Sequence, residues 1–564
     1  MKTIYASALI GLTLLCSGCQ PEKPAQQLNN TATFHWFDYQ GRDPLFAAPL
    51  AAGSYQNPIV AGFFPDPSIT RKDQDFYLAT STFHYAPGLA ILHSKDLVNW
   101  QLIGHALTRA SQLDMPGINS SQGIYAPTLR YHQGTFYLIG TLVTGHGHFI
   151  VTANQPEGPW SDPVLLPEVG GIDPDLFFDD DGKVYISHND LPPGPQLYDG
   201  HSAIWMWQYD PIAKKVITES KKLLVNGGVD LTKKPVWIEG PHLYKRNGWY
   251  YLMCAEGGTE DQHSEVIFRS RSLSEPFVPY SNNPILTQRD LDSRRTNPVF
   301  STGHADLLQL ADQSWWAVFL GTRPYQPGFH NTGRETFLLP VHWQEDWPVI
   351  LPAGQAVPNR PTAPTSLSTS PVPTPQTGNL HWRDEFNGST PDVNWSWLRH
   401  IATPWLELSQ GELKLQPSAD KLTDKGQPAF IGRRQQHNHF DASTSLLVPA
   451  QGISAGIVAF QNERFHYYMG LRTQDGALSV FLEQTKGEKS GLVTSQPLPV
   501  NTSEVQLKIQ GDGAEIRFYY ATQAGNWQQL GEVQDAKLLS TQISGGFVGT
   551  MLGLHTRHES GAMP

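Results

Sequence analysis

The chain has 564 residues, more than one hydrophobic core of roughly 250–300 residues accommodates, so at least two domains are expected. Charged residues make up 16% and aromatics 11%, and the formal net charge is −12 without any cluster of Lys and Arg, which excludes a polyanion such as nucleic acid as a partner. The 16 tryptophans suit β-rich domains that offer flat rings to a neutral ligand such as a sugar, and three cysteines, Cys16, Cys19 and Cys254, exclude a disulfide framework.

The N-terminus opens Met1-Lys2-Thr3 and runs into an apolar stretch from Ala6 to Leu15, too short to span a bilayer and suited to the h-region of a signal peptide. It ends in Cys16-Ser17-Gly18-Cys19, which is similar to a bacterial lipobox with Cys16 in the place of the usual Leu. Residues 1–18 are therefore expected to be removed as a lipoprotein-type signal and Cys19 to carry the lipid; a plain secretory signal fits the same small residues. Either reading implies export, and the first implies a bacterial membrane-anchored lipoprotein, periplasmic or at the cell surface. Residues 19–53 read as an N-terminal tether and extension.

From residue 54 to 350 short β-type runs follow one another, among them Asp75-Phe76-Tyr77-Leu78-Ala79-Thr80, Thr135-Phe136-Tyr137-Leu138-Ile139 and Gly248-Trp249-Tyr250-Tyr251-Leu252-Met253. Gly, Asn and Asp turns separate them and no amphipathic helix interrupts them. Several runs share the order turn, aromatic, Tyr, aliphatic, as in Gly182-Lys183-Val184-Tyr185-Ile186, which points to a unit repeated around a ring, a β-propeller. Residues 351–378, rich in Pro, Ser and Thr with little to bury, read as an interdomain linker. A fresh alternating pattern begins at Leu380-His381-Trp382 and recurs in Leu413-Lys414-Leu415 and Val505-Gln506-Leu507-Lys508-Ile509, so residues 379–564 are expected to form a β-sandwich.

Three acids stand in stiff, apolar contexts. Asp66 lies in Gly62-Phe63-Phe64-Pro65-Asp66-Pro67-Ser68, between two prolines that restrict the backbone; Asp173 lies in Gly171-Ile172-Asp173-Pro174-Asp175, followed by an apolar run. Glu239 lies in Val236-Trp237-Ile238-Glu239-Gly240-Pro241-His242, where desolvation disfavours its charged form and a raised pKa, the requirement for a general acid, is expected. Glycoside hydrolysis needs such a pair, one carboxyl protonated to expel the leaving group and one ionised to activate water or attack. Asp-Pro also opens ordinary turns, and the run Asp179-Asp180-Asp181-Gly182 reads as loop chemistry alone.

The segments Asn57-Pro58-Ile59 through Ser68, Ala79-Thr80-Ser81-Thr82-Phe83, His93-Ser94-Lys95-Asp96-Leu97-Val98-Asn99-Trp100, Ile172-Asp173-Pro174-Asp175 and Glu239-Gly240-Pro241-His242-Leu243-Tyr244-Lys245 resemble glycoside hydrolase family 43. Gly303-His304-Ala305-Asp306-Leu307 and Gly333-Arg334-Glu335-Thr336 extend the match through the first domain. Phe430-Ile431-Gly432-Arg433-Arg434-Gln435-Gln436-His437 and Phe460-Gln461-Asn462-Glu463-Arg464 look like the sandwich appended to this family's xylosidases and arabinofuranosidases. The resemblance implies an all-β chain with a five-bladed propeller, a site in the funnel at its axis, and hydrolysis with inversion. It makes Asp66 the general base, Glu239 the general acid and Asp173 the third acid, which tunes and orients Glu239. Inversion requires room for a water between Asp66 and Glu239, about 6.5–9.5 Å. It also places His304 near the funnel floor, Arg334 on a hydroxyl of the terminal sugar, and Phe83 as an apolar wall.

The sequence departs from the family twice. Tyr125, in Gly123-Ile124-Tyr125-Ala126-Pro127, stands where the resembling xylosidases carry Trp. The stretch Ser187-His188-Asn189-Asp190-Leu191-Pro192-Pro193-Gly194 through Leu197-Tyr198-Asp199-Gly200-His201 replaces an aromatic insertion and is expected to rim the pocket. The activity implied is exo-release of β-1,4-linked xylose or α-L-arabinofuranose from xylo- or arabino-oligosaccharides. An endo-arabinanase of the same fold and a non-catalytic glycan-binding surface lipoprotein are the alternatives. No zinc-ligand spacing appears and no organic cofactor is implied; a structural calcium ion, at the propeller axis near His304 or in the sandwich, is the one metal the resemblance allows. A homo-oligomer is compatible with the family.

Overall fold

The computed structural model describes residues 30–559 apart from Leu113; the signal peptide and Cys19 lie outside the described residues. Five antiparallel sheets, built from residues 68–107, 124–166, 172–226, 239–287 and 300–349, stand as blades around one axis. The expected five-bladed propeller and the sandwich after it are both present. The first strands of the blades, Ser68–Lys72, Ile124–His132, Ile172–Phe178, Glu239–Arg246 and Phe300–Gln309, face the axis and pack on one another. Apolar side chains of neighbouring blades fill the space between sheets, as where Ile204, Leu243, Leu252 and Phe268 meet. A bridge between Val60 and Thr336 ties the start of the ring to its last blade.

A local device repeats around the axis. The axial strands contain Ala126-Pro127-Thr128, Asp173-Pro174-Asp175, Gly240-Pro241-His242 and His304-Ala305-Asp306, and Asp66-Pro67-Ser68 leads into the first of them. The ladder loses register there in four blades, between Tyr125 and Thr128, Ile172 and Asp175, Glu239 and His242, and Gly303 and Asp306. Proline cannot donate to a ladder and is tolerated at a bulge, and a bulge re-aims its side chain. Asp173, Gly240 and His304 take left-handed backbone at these bulges, with φ of 55°, 54° and 51°, and Asp66, just before the unbulged first strand, does so at 53°. Asp66, Ala126, Asp173 and His304 line the funnel mouth, while Ser68, Asp175, His242 and Asp306 meet at the axis below it.

The sandwich pairs a nine-stranded with an eight-stranded antiparallel sheet over a core that includes Phe34, Phe37, Trp395, Ile457 and Leu507. Residues Ala32–Gly41, expected within the N-terminal tether, are instead a strand of the larger sheet, between Glu412–Leu415 and His439–Leu447. Its buried Ala32, Phe34, Phe37 and Tyr39 supply the reason, since that apolar face is covered only by the second domain. Nor is segment 351–378 a free spacer: it runs along the propeller, where Pro361, Asn359 and Gln376 carbonyls accept from the Tyr55, Asn57 and Ala61 N–H groups at 3.0, 2.9 and 2.8 Å. The two domains also share a ladder, because Tyr85–Ala86 of the first blade pairs with Ser396–Leu398.

Candidate active site

The funnel mouth holds a cavity of about 430 Å³ lined by Asp66, Phe83, Tyr125, Asp173, Glu239, His304 and Arg334. All seven positions singled out in the sequence thus converge, from every one of the five blades.

Asp66 is 4% exposed; Arg334 Nη1 donates to its Oδ1 at 2.9 Å and Ser81 Oγ to its Oδ2 at 2.5 Å. Each carboxylate oxygen has two lone pairs, so both keep one free for a water. His304 Nδ1 lies 3.8 Å from the same carboxylate. Burial depresses the His304 imidazole to about 4, which leaves it neutral and unable to compete with Arg334 as a counter-ion. Glu239 is 9% exposed, and burial raises its carboxyl to about 7; the Arg334 cation pulls against this and the charge of Asp66 adds to it. Asp173 is pushed well above the usual carboxylate range by burial first, then by the charges of Glu239 and Asp66. Its Oδ2 accepts the Gly240 N–H at 3.2 Å, which ties down the chain one residue beyond Glu239. The cavity therefore contains one ion-paired carboxylate, Asp66, and two carboxyls raised by burial, of which Glu239 holds its proton to near neutrality. Those are the two states that acid–base hydrolysis of an acetal requires.

One wall comes from the sandwich, through Phe547, a residue that nothing in the sequence singled out. Phe547 stacks on Phe83 with ring centroids 6.0 Å apart, and the Arg334 guanidinium lies 5.6 Å from its centre. The preceding Gly546, at φ 85°, passes so close to the propeller that a Cβ would sit 2.4 Å from Ser121 Oγ, while the Phe547 N–H donates to that oxygen at 2.8 Å. Only glycine allows this approach. Ser81 stands two residues before Phe83 in the same motif, the one sequence signal that marks it. Tyr125 donates its hydroxyl to the Ser121 carbonyl at 2.9 Å and meets Phe83 edge-on, so it braces the wall. The 187–201 stretch does rim the cavity, through Asn189, Asp190, Leu191, Gln196 and His201.

Below the funnel, Ser68, Asp175, His242 and Asp306, third residues of four triplets, surround Arg130. Its Nη1 donates to Asp306 Oδ2 and its Nη2 to Asp175 Oδ1, both at 2.7 Å, and His242 Nδ1 is 3.0 Å away. Burial alone would raise both carboxyls, yet the guanidinium holds each below its ordinary value. The axial acids are thus already neutralised by a protein cation and do not fit as donors to a calcium ion beside His304. Among the described residues no group of three or more His, Cys, Asp or Glu could hold a metal, in the sandwich or elsewhere.

Comparison with known proteins agrees with this arrangement. Residues 55–348 match the model for glycosyl hydrolases family 43, and residues 383–562 that for the beta xylosidase C-terminal concanavalin A-like domain. A non-reducing end alpha-L-arabinofuranosidase of Bacteroides ovatus is 38% identical over 520 residues, 90% of this chain and 92% of its own. Among solved structures, a GH43_12 protein from a capybara gut metagenome superposes with a TM-score of 0.87 at 38% identity, covering 93% of this chain and 99% of its own. A xylan beta-1,4-xylosidase from Bacillus halodurans C-125 does so with a TM-score of 0.81 at 34% identity, covering 90% and 97%.

Proposed function

Because the chain belongs to glycoside hydrolase family 43, an inverting and exo-acting class of glycosidase, we propose that Asp66 is its general base, Glu239 its general acid and Asp173 the group that orients Glu239. The substrates are xylo- or arabino-oligosaccharides, from which it releases terminal β-1,4-linked xylose, α-L-arabinofuranose, or both. The names of its relatives, arabinofuranosidase and xylosidase, support that range. The observation that carries the reading is the contrast between two buried acids in one cavity. Asp66 is ion-paired with Arg334, whereas burial lifts Glu239 to about 7.

In the reaction a terminal pentose enters the cavity with its anomeric carbon between the two groups. Asp66 takes a proton from a water that attacks one face, and Glu239 gives its proton to the glycosidic oxygen leaving from the other. Arg334, Phe83 and Phe547 hold the sugar, and the wall formed by Phe547 with Phe83 favours a chain end over the middle of a polymer. Hydrolases of this family require no cofactor. The lipobox-like Cys16-Ser17-Gly18-Cys19 supports export and lipidation of Cys19.

Initial rates on matched aryl β-D-xylopyranoside and α-L-arabinofuranoside test the reading, with Glu239→Ala as the control. Cleavage of either by the parent and by the control at background is expected. Because Glu239 must enter the reaction protonated, the alkaline limb of the kcat/KM profile for a xylo-oligosaccharide is expected to set in near pH 7 and fall about tenfold per unit above it. No hydrolysis alongside retained sugar binding would favour a glycan-binding protein instead.

A further inference from the structure

Trp237 is the one exposed tryptophan among the described residues. It lines the cavity while remaining 50% exposed, and the acid–base chemistry above makes no use of it. Along Val236-Trp237-Ile238-Glu239 the buried Ile238 joins an interblade core, while Trp237 and Glu239 both open on the cavity.

The ring is held there at some cost in backbone conformation. Trp237 has φ of 45°, a region that bulky residues rarely enter, and such outliers persist where the surroundings enforce them. The enforcement is visible. The Trp237 N–H donates to the Gly200 carbonyl at 2.8 Å, and the Val236 carbonyl accepts from Gly257 at 2.9 Å. The Ile238 carbonyl accepts from Asn189 Nδ2 at 2.5 Å and Ser202 Oγ at 3.2 Å. The indole itself rests on two glycines: a Cβ on Gly258 would sit 3.3 Å from Cε3, and one on Gly200 would sit 3.4 Å from Nε1. An aromatic side chain with a fixed backbone, a seated edge and an open surface is a preformed platform. Beside it, the 187–201 rim presents the apolar Leu191, 66% exposed, next to Asp190 and Gln196.

We propose that Trp237 is the stacking platform for the leaving-group sugar, selecting a pyranosyl unit whose C–H face lies on the indole. The proposal rests on Glu239 being the general acid. Glu239 delivers its proton to the glycosidic oxygen, so a ring two residues before it on the cavity side faces the sugar on the far side of that oxygen. A pyranose chair offers a flat C–H face to an indole, with Leu191 beside it as a further apolar contact.

The test uses the full chain carrying Trp237→Asn or Trp237→Phe. Asn tolerates the left-handed backbone, and Phe retains a ring. Each is assayed on a xylo- or arabinoxylo-oligosaccharide and on the corresponding pentosyl fluoride, whose leaving group is a single atom that cannot reach the platform. The readout is the ratio of the two kcat/KM values, which does not depend on the fraction of active protein. For Trp237→Asn the ratio is expected to fall about tenfold or more, mainly through KM for the oligosaccharide, and for Trp237→Phe to stay within about threefold. A ratio within about twofold of the parent's in Trp237→Asn would overturn the proposal, because the ring would then serve both substrates alike. A parent that hydrolyses neither substrate would instead refute the glycosidase reading itself.

Discussion

Replacing Glu239 with Gln is expected to lower kcat/KM on a xylo-oligosaccharide by about 10³–10⁴-fold while costing a dinitrophenyl pentoside only about tenfold or less. The difference follows from what the residue supplies. A sugar alkoxide is a poor leaving group and needs a proton at the moment of bond cleavage, whereas a dinitrophenolate leaves without one. The amide keeps the shape of the side chain but carries no transferable proton. A second consequence concerns stability and follows from burial of the carboxyl. Burial raises the folded-state carboxyl from its ordinary 4.5 to about 7, so the unfolded chain gives up its proton first and stability falls as pH rises through that window. Gln has no proton to lose, so the substitution is expected to raise the melting temperature at pH 8 and to change it little at pH 4.5. A shift of this size corresponds to on the order of 3 kcal/mol. Equal losses on both leaving groups would remove Glu239 from the acid role.

Asp66→Asn is expected to cut kcat/KM by about 10³–10⁴-fold on both kinds of substrate, because activation of water is needed whatever group leaves. Its effect on stability has the opposite sign. Asp66 Oδ1 is the partner of Arg334 Nη1 at 2.9 Å, and Arg334 is only 7% exposed, with its Nε unpartnered. Removing the anion leaves a buried guanidinium without a counter-charge, which commonly costs about 3–5 kcal/mol. A lowered melting temperature near neutral pH, seen by calorimetry beside the raised one of Glu239→Gln, is therefore expected. A dinitrophenyl substrate spared by Asp66→Asn would contradict the base role.

The three acids were legible in the sequence because their contexts are local. A proline after Asp66 and Asp173, and Trp-Ile before Glu239, report stiffness and desolvation without any knowledge of the fold. The resemblance to a known family then added Arg334, His304 and Phe83. The repeat at the axis was equally present, as five triplets from Asp66-Pro67-Ser68 to His304-Ala305-Asp306, but its spacing is irregular because each blade has loops of its own length. Arg130 was invisible for a related reason. Its partners Asp175 and Asp306 lie 45 and 176 residues away, and only closure of the ring brings them to one guanidinium, where the resemblance had left room for calcium. Ala32–Gly41 shows the limit of pattern reading. Its buried alternation marks a strand, yet its partners in Glu412–Leu415 and His439–Leu447 come some 400 residues later, and alternation does not name the sheet that a strand joins. Phe547 belongs to the same class, since a loop of the second domain reaches the funnel of the first through a contact with Ser121.

The most direct test of the central claim, a base at Asp66 and an acid at Glu239 acting from opposite faces, is the configuration of the first product. Proton NMR of a β-xyloside or α-L-arabinofuranoside, followed before the released sugar mutarotates, reads it. The account predicts α-xylose or β-L-arabinofuranose at the earliest time points, the inverted anomer in each case. Initial appearance of the retained anomer would mean that a carboxylate attacks the sugar rather than a water, and would contradict the roles assigned to both residues.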